Sequence, residues 1–556
     1  MDRRTILAVV LIMAVLIGDQ FLMSRWGRNR HPAQPTTGQD STGMAGSPGV
    51  APSQSSTQTP TSTTPAKPGG GTAALVATSG PRVHAAPIVE RQLTSGLANA
   101  TFTSKGATIS EWILPKYPDL AHGKVPVNLV PPGQRALQLI VTTPYFTYDF
   151  TDVPFRVVPP AAMDTSITFV AEDSSGVRVS KTYRMGPNSV ALDLELRITV
   201  PVQYGPIQYR WGWAQALPVT DTMLNPRLNQ AVALVGDKLE VVDAVHIQKD
   251  GARALKGNIR WAGDRSKYFV AAIVPDSATV EDAQFTKLED GQPTVWLLGA
   301  APPGTEVVRH ARLYAGPIHY NTLVALGAEL DRLANLGWRW ITGLSALLLW
   351  CLNFIHKHIP NYGIAIILIS LATKLVFYPL TQSSLRSMKV MHHLQPQVKS
   401  IQDKYKNDPA KMNQAMMALY KEYKVNPVSG CLPMLLQIPV FFALYNVLLN
   451  SIELRGAGFM AYVQDLSTPD VLMRVAGFPV HLFPVIMTGS TYLMQSQTPV
   501  APQQKTMMML MPVMMLVFMY SFPSGVILYW TMNNVLSAIQ QYLVNAAEDR
   551  KMAAGG

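Results

Sequence analysis

A chain of 556 residues can hold two or more units, each with its own core. Apolar side chains make up 48% of it and charged ones 15%, against roughly 25% charged in soluble domains, so an ordinary soluble composition is excluded. The formal charge of +11 suits an acidic surface or partner, and two cysteines, Cys351 and Cys431, both in apolar stretches, exclude a disulfide framework.

The first residues, Met-Asp-Arg-Arg, lead into an apolar run at 6–17 that weakens toward Met23. A secretory signal starts in the same way, but no small-x-small cleavage site follows, so residues 1–24 are expected to be an uncleaved anchor. Residues 25–80 are dominated by Pro, Ser, Thr, Gln and Gly. Such a composition cannot offset its ordering entropy by burial, which predicts a disordered tether. From 81 to 335 the pattern turns to short alternating runs, among them 98–104, 166–171, 177–183, 190–200, 268–274 and 307–314. Their number and spacing predict an antiparallel all-β sandwich, closed by a helical stretch at 320–336.

Residues 336–359 carry Trp338, Trp340, Trp350, Arg339, His356, Lys357 and His358 around an apolar centre. That bracketing suits an amphipathic helix in the membrane interface, a spanning helix being the alternative. Five apolar runs follow, at 363–381, 429–450, 479–496, 507–522 and 525–545, each near the roughly 20 residues that cross a bilayer. With the anchor they make six spans and a polytopic α-helical membrane protein. The connector 382–426 holds Arg386, Lys389, Lys399, Lys404, Lys406, Lys411, Lys421 and Lys424 against Asp403, Asp408 and Glu422, eight basic to three acidic. The positive-inside rule therefore places it in the cytoplasm with both termini, and the β domain outside. The tail at 547–556 is short.

That connector is also patterned. Leu385, Met388, Met391, Leu394, Val398, Ile401 and Tyr405, then Met412, Met416, Leu419 and Tyr423, recur in steps of three and four. Two helices are expected, separated at Asn407-Asp408-Pro409, with Asp408 as cap and Pro409 at the first helical position. The resulting cytoplasmic hairpin is either a solvated loop or a docking surface for acidic partners such as ribosomal RNA, nascent chains or anionic lipids.

Lys374 stands inside the run 363–381. Insertion scales put a mid-span lysine at about +2.5 to +3.5 kcal/mol, so it is expected to face a partner or a wet cavity, with snorkelling toward Gln382 as the alternative. Helical spacing places Ser370, Lys374, Tyr378 and Thr381 on one stripe. Gln437, then Thr488, Ser490, Thr491 and Gln495, then Asn533, Asn534 and Ser537, supply polar groups in the other runs. Each alone suits ordinary interhelical hydrogen bonding; together with Lys374 they could line one cavity. Methionines crowd 507–519, as a surface accepting many apolar sequences would need or as lipid-facing filler. Phosphate-binding, dinucleotide, nucleophile-elbow and zinc-protease motifs are missing, and no cofactor or metal is expected.

The second half resembles the YidC family of bacterial membrane protein insertases. The resemblance rests on Tyr378-Pro379-Leu380-Thr381 after the charged residue, Met416-Met417-Ala418-Leu419-Tyr420-Lys421, Lys424-Val425-Asn426-Pro427 and Gly430-Cys431. It continues through Pro433, Gln437 and Pro439, Ala443-Leu444-Tyr445, Asp465-Leu466-Ser467, 522–529 and Asn534. The long outer domain, with Tyr268-Phe269 and 313–317, resembles the Gram-negative version. The resemblance implies a five-helix insertase core at 360–546 around a hydrophilic groove open to the cytoplasm, and a periplasmic β-supersandwich. It implies insertion and chaperoning of nascent integral membrane proteins in the inner membrane, alone or with the Sec translocon and its accessory subunits, and ribosome contact through the hairpin. Lys374 would be the groove's charge, Ser370, Tyr378 and Gln437 would share the groove, and Phe441, Phe518, Tyr529 and Trp530 would touch substrate. Bacterial members usually carry arginine at that position; lysine keeps the charge without the bidentate fork. The tail lacks the long basic extension of some relatives, which leaves ribosome contact to the hairpin. The alternative is a secondary transporter with Lys374 as coupling residue, although the internal duplication typical of transporters is not seen among the five runs.

Overall fold

The computed structural model describes residues 87–556 apart from 124, 160–165, 222–227, 277–281, 424–431, 461, 497–501 and 555–556. The expected anchor, tether and Lys424 lie outside the described residues.

Strict alternation builds the β domain. Ala191–Thr199 turns Leu192, Leu194, Leu196 and Ile198 inward, each nearly fully buried, and Asp193, Glu195 and Arg197 outward. Burying each such side chain stabilises by about 1.5–3 kcal/mol. The outward face is knit across strands: Asp193 pairs in register with Arg312, whose Nε lies 3.3 Å from its carboxylate. This strand sits within a nine-stranded antiparallel sheet ordered Lys238–Asp243, Gln230–Val235, Ile259–Arg265, Phe269–Pro275, Val307–Pro317, Ala191–Thr199, Arg178–Met185, Ser166–Glu172, Arg156–Val158. A six-stranded sheet, Arg253–Leu255, Asp282–Lys287, Pro293–Ala301, Ile207–Gly212, Gln138–Thr142 and Thr147–Asp149, shares one apolar core with it. A third, four-stranded sheet runs from Glu90–Thr94 to Pro126–Asn128, and its Trp112 Nε1 donates to Ala315 O at 2.8 Å. Two short helices, α1 (Ala244–Asp250) and α2 (Tyr320–Leu326), complete the domain.

The helical half begins with α3 (Arg339–His358), which buries Ile341, Ser345, Leu348, Leu349 and Leu352 and exposes Trp340, Leu347, Trp350 and Phe354. Next come α4 (Tyr362–His393), α5 (Gln395–Lys404), α6 (Pro409–Glu422), α7 (Leu432–Asn450), α8 (Leu482–Ser496), α9 (Pro502–Met519) and α10 (Ser524–Ala554). Among the described residues, Tyr362–Leu385 is long and apolar enough to cross a bilayer, while Gln437–Asn450 and Met508–Met519 are shorter apolar stretches.

Three element boundaries differ from expectation. First, α4 does not stop at 381 but continues through Pro379 to His393, so the first hairpin helix splits into the end of α4 and the separate α5. Hydropathy falls where a helix leaves an apolar environment, whereas its backbone bonds continue. Second, 479–481 are not helical: Phe478–Val480 pairs with Met473–Val475, and Asp470 Oδ2 accepts from the N–H of Leu482 and Phe483 at 2.7 and 3.0 Å, starting α8 there. Third, α10 runs to Ala554, into the expected tail.

The connector between α7 and α8 joins the two halves. Arg455, its side chain 2% exposed, bonds Asp221 Oδ1 at 2.8 Å and the carbonyls of Pro118 and Thr220 at 2.7 and 2.8 Å, and lies 5.3 Å from the Phe269 ring. The same connector covers the start of α10, since Ser524 N donates to Thr468 O and Gly525 N to Leu466 O. It packs on α4 at Gly363, where a Cβ would lie 2.0 Å from the Phe459 ring, so only glycine fits without a shift.

Candidate functional site

Lys374 lies midway along α4 and is half-buried. Its ammonium donates to Ser537 Oγ of α10 at 2.7 Å, a partner 163 residues away. Ser537 Oγ in turn donates to Asn533 O at 2.6 Å, one helical turn back, so the hydroxyl relays the charge onto the α10 backbone. Gln437 of α7 donates to Asn533 Oδ1 at 2.9 Å, and Asn533 Nδ2 to Tyr529 O at 3.2 Å. Three helices thus meet through side-chain amides and one ammonium. Such partners are needed because an unsatisfied polar group in an apolar surround costs several kcal/mol.

These groups line a recess of about 370 Å³, its open mouth included. Lys374, Gln437, Tyr529 and Asn533 supply its polar wall; Thr373, Phe377, Leu380, Thr381 and Val440 complete it. Among the described residues that lining holds no carboxylate, and the positive charge meets hydroxyl and amide dipoles there. The lining positions on α4 follow helical steps of three and four.

The predicted stripe is corrected at two of its four positions. At about 100° per residue, the lining face of α4 centres on Phe377, which turns Tyr378 roughly 100° away. Tyr378 is indeed exposed, and Phe377 takes the expected place. Ser370 is fully buried and donates to Ile366 O at 2.8 Å, so it satisfies its own helix above the recess. Lys374 and Thr381 do line it.

The aromatic residues divide likewise. Phe441 stacks on Tyr529 (centroids 6.3 Å apart) and meets Trp530 edge-on at 4.9 Å, which puts an aromatic patch against the Tyr529 wall. Phe518 stands apart on the exposed face of α9, 5.4 Å from Phe522. Asn534 is buried and donates to Ser490 Oγ and Thr491 Oγ1 of α8 at 3.3 and 2.7 Å, joining two helices away from the recess. Gln495 contacts Met511 of α9 and not Lys374. Thr373 and Phe377 were missed; on a wheel centred on Lys374 and Thr381, Phe377 and Tyr378 lie about 50° to either side and Thr373 about 90° away, so spacing alone does not choose the lined edge.

The basic hairpin is built as its sequence directs. Asp408 accepts from Lys411 N at 3.1 Å and caps α6 behind Pro409. Gln397 of α5 donates to the Tyr423 hydroxyl at 3.2 Å at the end of α6, while Leu394 and Leu419 are buried. Lys399, Lys404, Lys406, Lys411 and Lys421 are all exposed, and Lys411 pairs with Asp408 at 3.2 Å. The side chains of Arg386 and Lys389 lie outside the described residues.

Residues 354–551 match the family model described as 60Kd inner membrane protein, and residues 91–351 match the YidC periplasmic domain. A membrane protein insertase YidC of Syntrophus aciditrophicus is 33% identical over 563 residues, covering 98% of this chain and 99% of the relative. Another, of Geobacter sulfurreducens, is 36% identical over 465 residues, covering 80% of this chain and 84% of the relative. A solved structure of an active YidC insertase with its first transmembrane domain resolved is 18% identical, with a TM-score of 0.34, and covers 83% of this chain and 94% of its own. Two family models that follow one another along the sequence, and relatives matched nearly from end to end, show that the chain belongs to the YidC family of membrane protein insertases.

Proposed function

We propose that this protein inserts integral membrane proteins into the bacterial inner membrane and chaperones their folding, alone or beside the Sec translocon, through the cationic recess at Lys374. The observation that carries the reading is a helical-core ammonium with one hydrogen bond and no carboxylate in the recess around it. A substrate's acidic tail would be drawn to that charge; at 4 Å and an effective dielectric near 20 the attraction is about 4 kcal/mol. Gln437, Asn533 and Ser537 would hydrate or bond the tail, lowering the cost of moving a carboxylate into the membrane. The Phe441–Tyr529–Trp530 patch would offer the adjoining apolar segment a surface, with exposed Phe518 further along α9.

In this arrangement α4, α7, α8, α9 and α10 are the five spanning helices, α3 lies in the outer interface with its tryptophans at headgroup level, and the β domain is periplasmic. The hairpin of α4 end, α5 and α6 faces the cytoplasm, where its exposed lysines would meet anionic lipid and ribosomal RNA. No step requires bond making or breaking.

The test is insertion of a single-span substrate with an acidic outer tail into liposomes holding purified protein, comparing wild type, Lys374→Arg and Lys374→Met. Insertion kept by arginine and lost by methionine supports a charge-driven step. Equal insertion by all three removes Lys374 from the mechanism.

A further inference from the structure

A second cationic pocket lies at the β domain's nine-stranded sheet, where that sheet meets the helical half. Arg265 ends the strand Ile259–Arg265, and Lys267 sits in the turn that follows. Both line a pocket of about 110 Å³ with Gln230, Asn335 and Asn450. A single water needs about 10–15 Å³ of such space, so the pocket has room for a tetrahedral anion.

Among the described residues, the pocket's lining holds two cations and no carboxylate, Asp221 and Asp465 lying near Lys267 but outside the lining. Arg265 Nη1 donates to Leu333 O at 3.1 Å, and Nε and Nη2 both donate to Gln230 Oε1. A guanidinium has five N–H groups, so two remain. Lys267 lies 4.6 Å from the Tyr268 ring centre, and its ammonium makes no hydrogen bond or ion pair among the described residues. Burial pulls Arg265 down to about 10 and Lys267 below its usual range, the latter against the attraction of Asp221 and Asp465. Asp221 is itself engaged by Arg455. Both side chains are half-buried, and charges withdrawn from water are normally paired; among the described residues no carboxylate is part of the lining.

The pocket's position adds to this. Asn450 closes α7, and its Nδ2 donates to Asn335 O at 2.9 Å, three residues before the exposed Trp338, which stacks on Trp340. Exposed tryptophans of this kind mark the headgroup level of a bilayer.

We propose that this pocket is an anion site for a phosphate group, held by the two free N–H groups of Arg265 and the ammonium of Lys267, at the junction of the β domain with the outer membrane surface. Its placement at a lipid headgroup rests on the membrane orientation proposed above; the anion chemistry does not. Occupation would fill the space between Arg265 and Asn450 and so tie the β domain to the end of α7.

The test is calorimetric titration of the full chain in uncharged detergent with dihexanoylphosphatidylglycerol and, separately, with inorganic phosphate. The readout is binding and owes nothing to insertion, so its failure is distinct from failure of the insertase reading. Lys267→Gln should weaken binding about tenfold or more, and Arg265→Gln should do the same where its melting shows it folded. Lys267 has no hydrogen bond to lose, which keeps the first variant informative. Lys399→Gln in the hairpin should bind as wild type does. A difference seen only with the lipid identifies a headgroup, and one seen equally with phosphate identifies a free anion; both uphold the site. Equal affinities across wild type, Lys267→Gln and Arg265→Gln for both probes, or an equal loss in Lys399→Gln, overturn it.

Discussion

Two lysines enclosed by this protein behave in opposite ways. Lys181, in the strand Arg178–Met185 of the β domain, is 3% exposed, and its ammonium donates to the carbonyls of Gly106, Leu137 and Ala107 at 2.9, 2.8 and 3.4 Å. All three donors are used, and no ligand can reach them. Lys374 in α4 makes one hydrogen bond, to Ser537, and opens onto a recess. The first lysine is a pin between a strand and two loops; the second is a charge kept available. What separates them is the number of acceptors the fold supplies, since a lysine ammonium has three donors to place.

The largest effect should come from the pin. Lys181→Ala takes this donor from the carbonyls of Gly106 and Leu137, Ala107 O keeping the Tyr183 hydroxyl, and opens a cavity, which should cost about 3–5 kcal/mol. Thermal melting of the full chain in detergent, followed by β-sheet circular dichroism, measures it. A loss under about 1 kcal/mol would mean that water replaces the ammonium, and would break the contrast.

The same residue gives a pH signature. Burial draws Lys181 from the ordinary 10.5 down to about 7, against the pull of Asp149. Between those values the unfolded chain holds a proton that the native chain has released, so stability from this group rises with pH across that window, by at most about 1.4 kcal/mol per unit. Asp264 acts in the opposite sense. It is buried, its Oδ2 accepts from Thr294 Oγ1 at 2.9 Å, and burial holds its carboxyl well above the usual range despite that bond. The native chain then keeps a proton that the unfolded chain loses above about 3.8, so its contribution falls as pH rises. Melting from pH 6 to 9 should show the rising slope weaken in Lys181→Gln and steepen in Asp264→Asn.

For the available charge, Lys374→Met should lower insertion of an acidic-tailed substrate about tenfold, the equivalent of 1.4 kcal/mol of lost attraction. Melting should hardly change, because Ser537 can turn to its own backbone. Thermal loss comparable to Lys181→Ala would make Lys374 a second pin and erase the distinction.

The legibility of these features follows their range along the chain. Alternation in Ala191–Thr199 is a local signal and can be read directly, but its pairing of Asp193 with Arg312 spans 119 residues and cannot. Lys374 is conspicuous because a charge interrupts an apolar run, whereas Ser537 is one polar residue among several in α10. Tyr378 was misplaced because a stripe drawn through Ser370, Lys374, Tyr378 and Thr381 tolerates a wide arc, and only the packing of α7 and α10 shows which edge of that arc is covered. The length of α4 was misjudged for a related reason: Pro379 removes one backbone bond, and the turns on either side keep the helix intact.

The smallest effect should fall on a polar group of the same helix that the recess does not use. Asn534 is as buried as Asn533 and only one residue away, yet its amide is committed to Ser490 and Thr491. Hydrogen bonds of this kind inside membrane proteins average about 0.6 kcal/mol. Asn534→Ala should therefore lower the melting midpoint slightly and leave insertion unchanged, while Asn533→Ala, which removes the acceptor of Gln437, should lower insertion about twofold to threefold, as a loss near 0.6 kcal/mol implies. Adjacent asparagines with opposite readouts would place the boundary of the working surface between two consecutive residues. If both variants insert normally, the amides serve only packing and the charge of Lys374 acts alone.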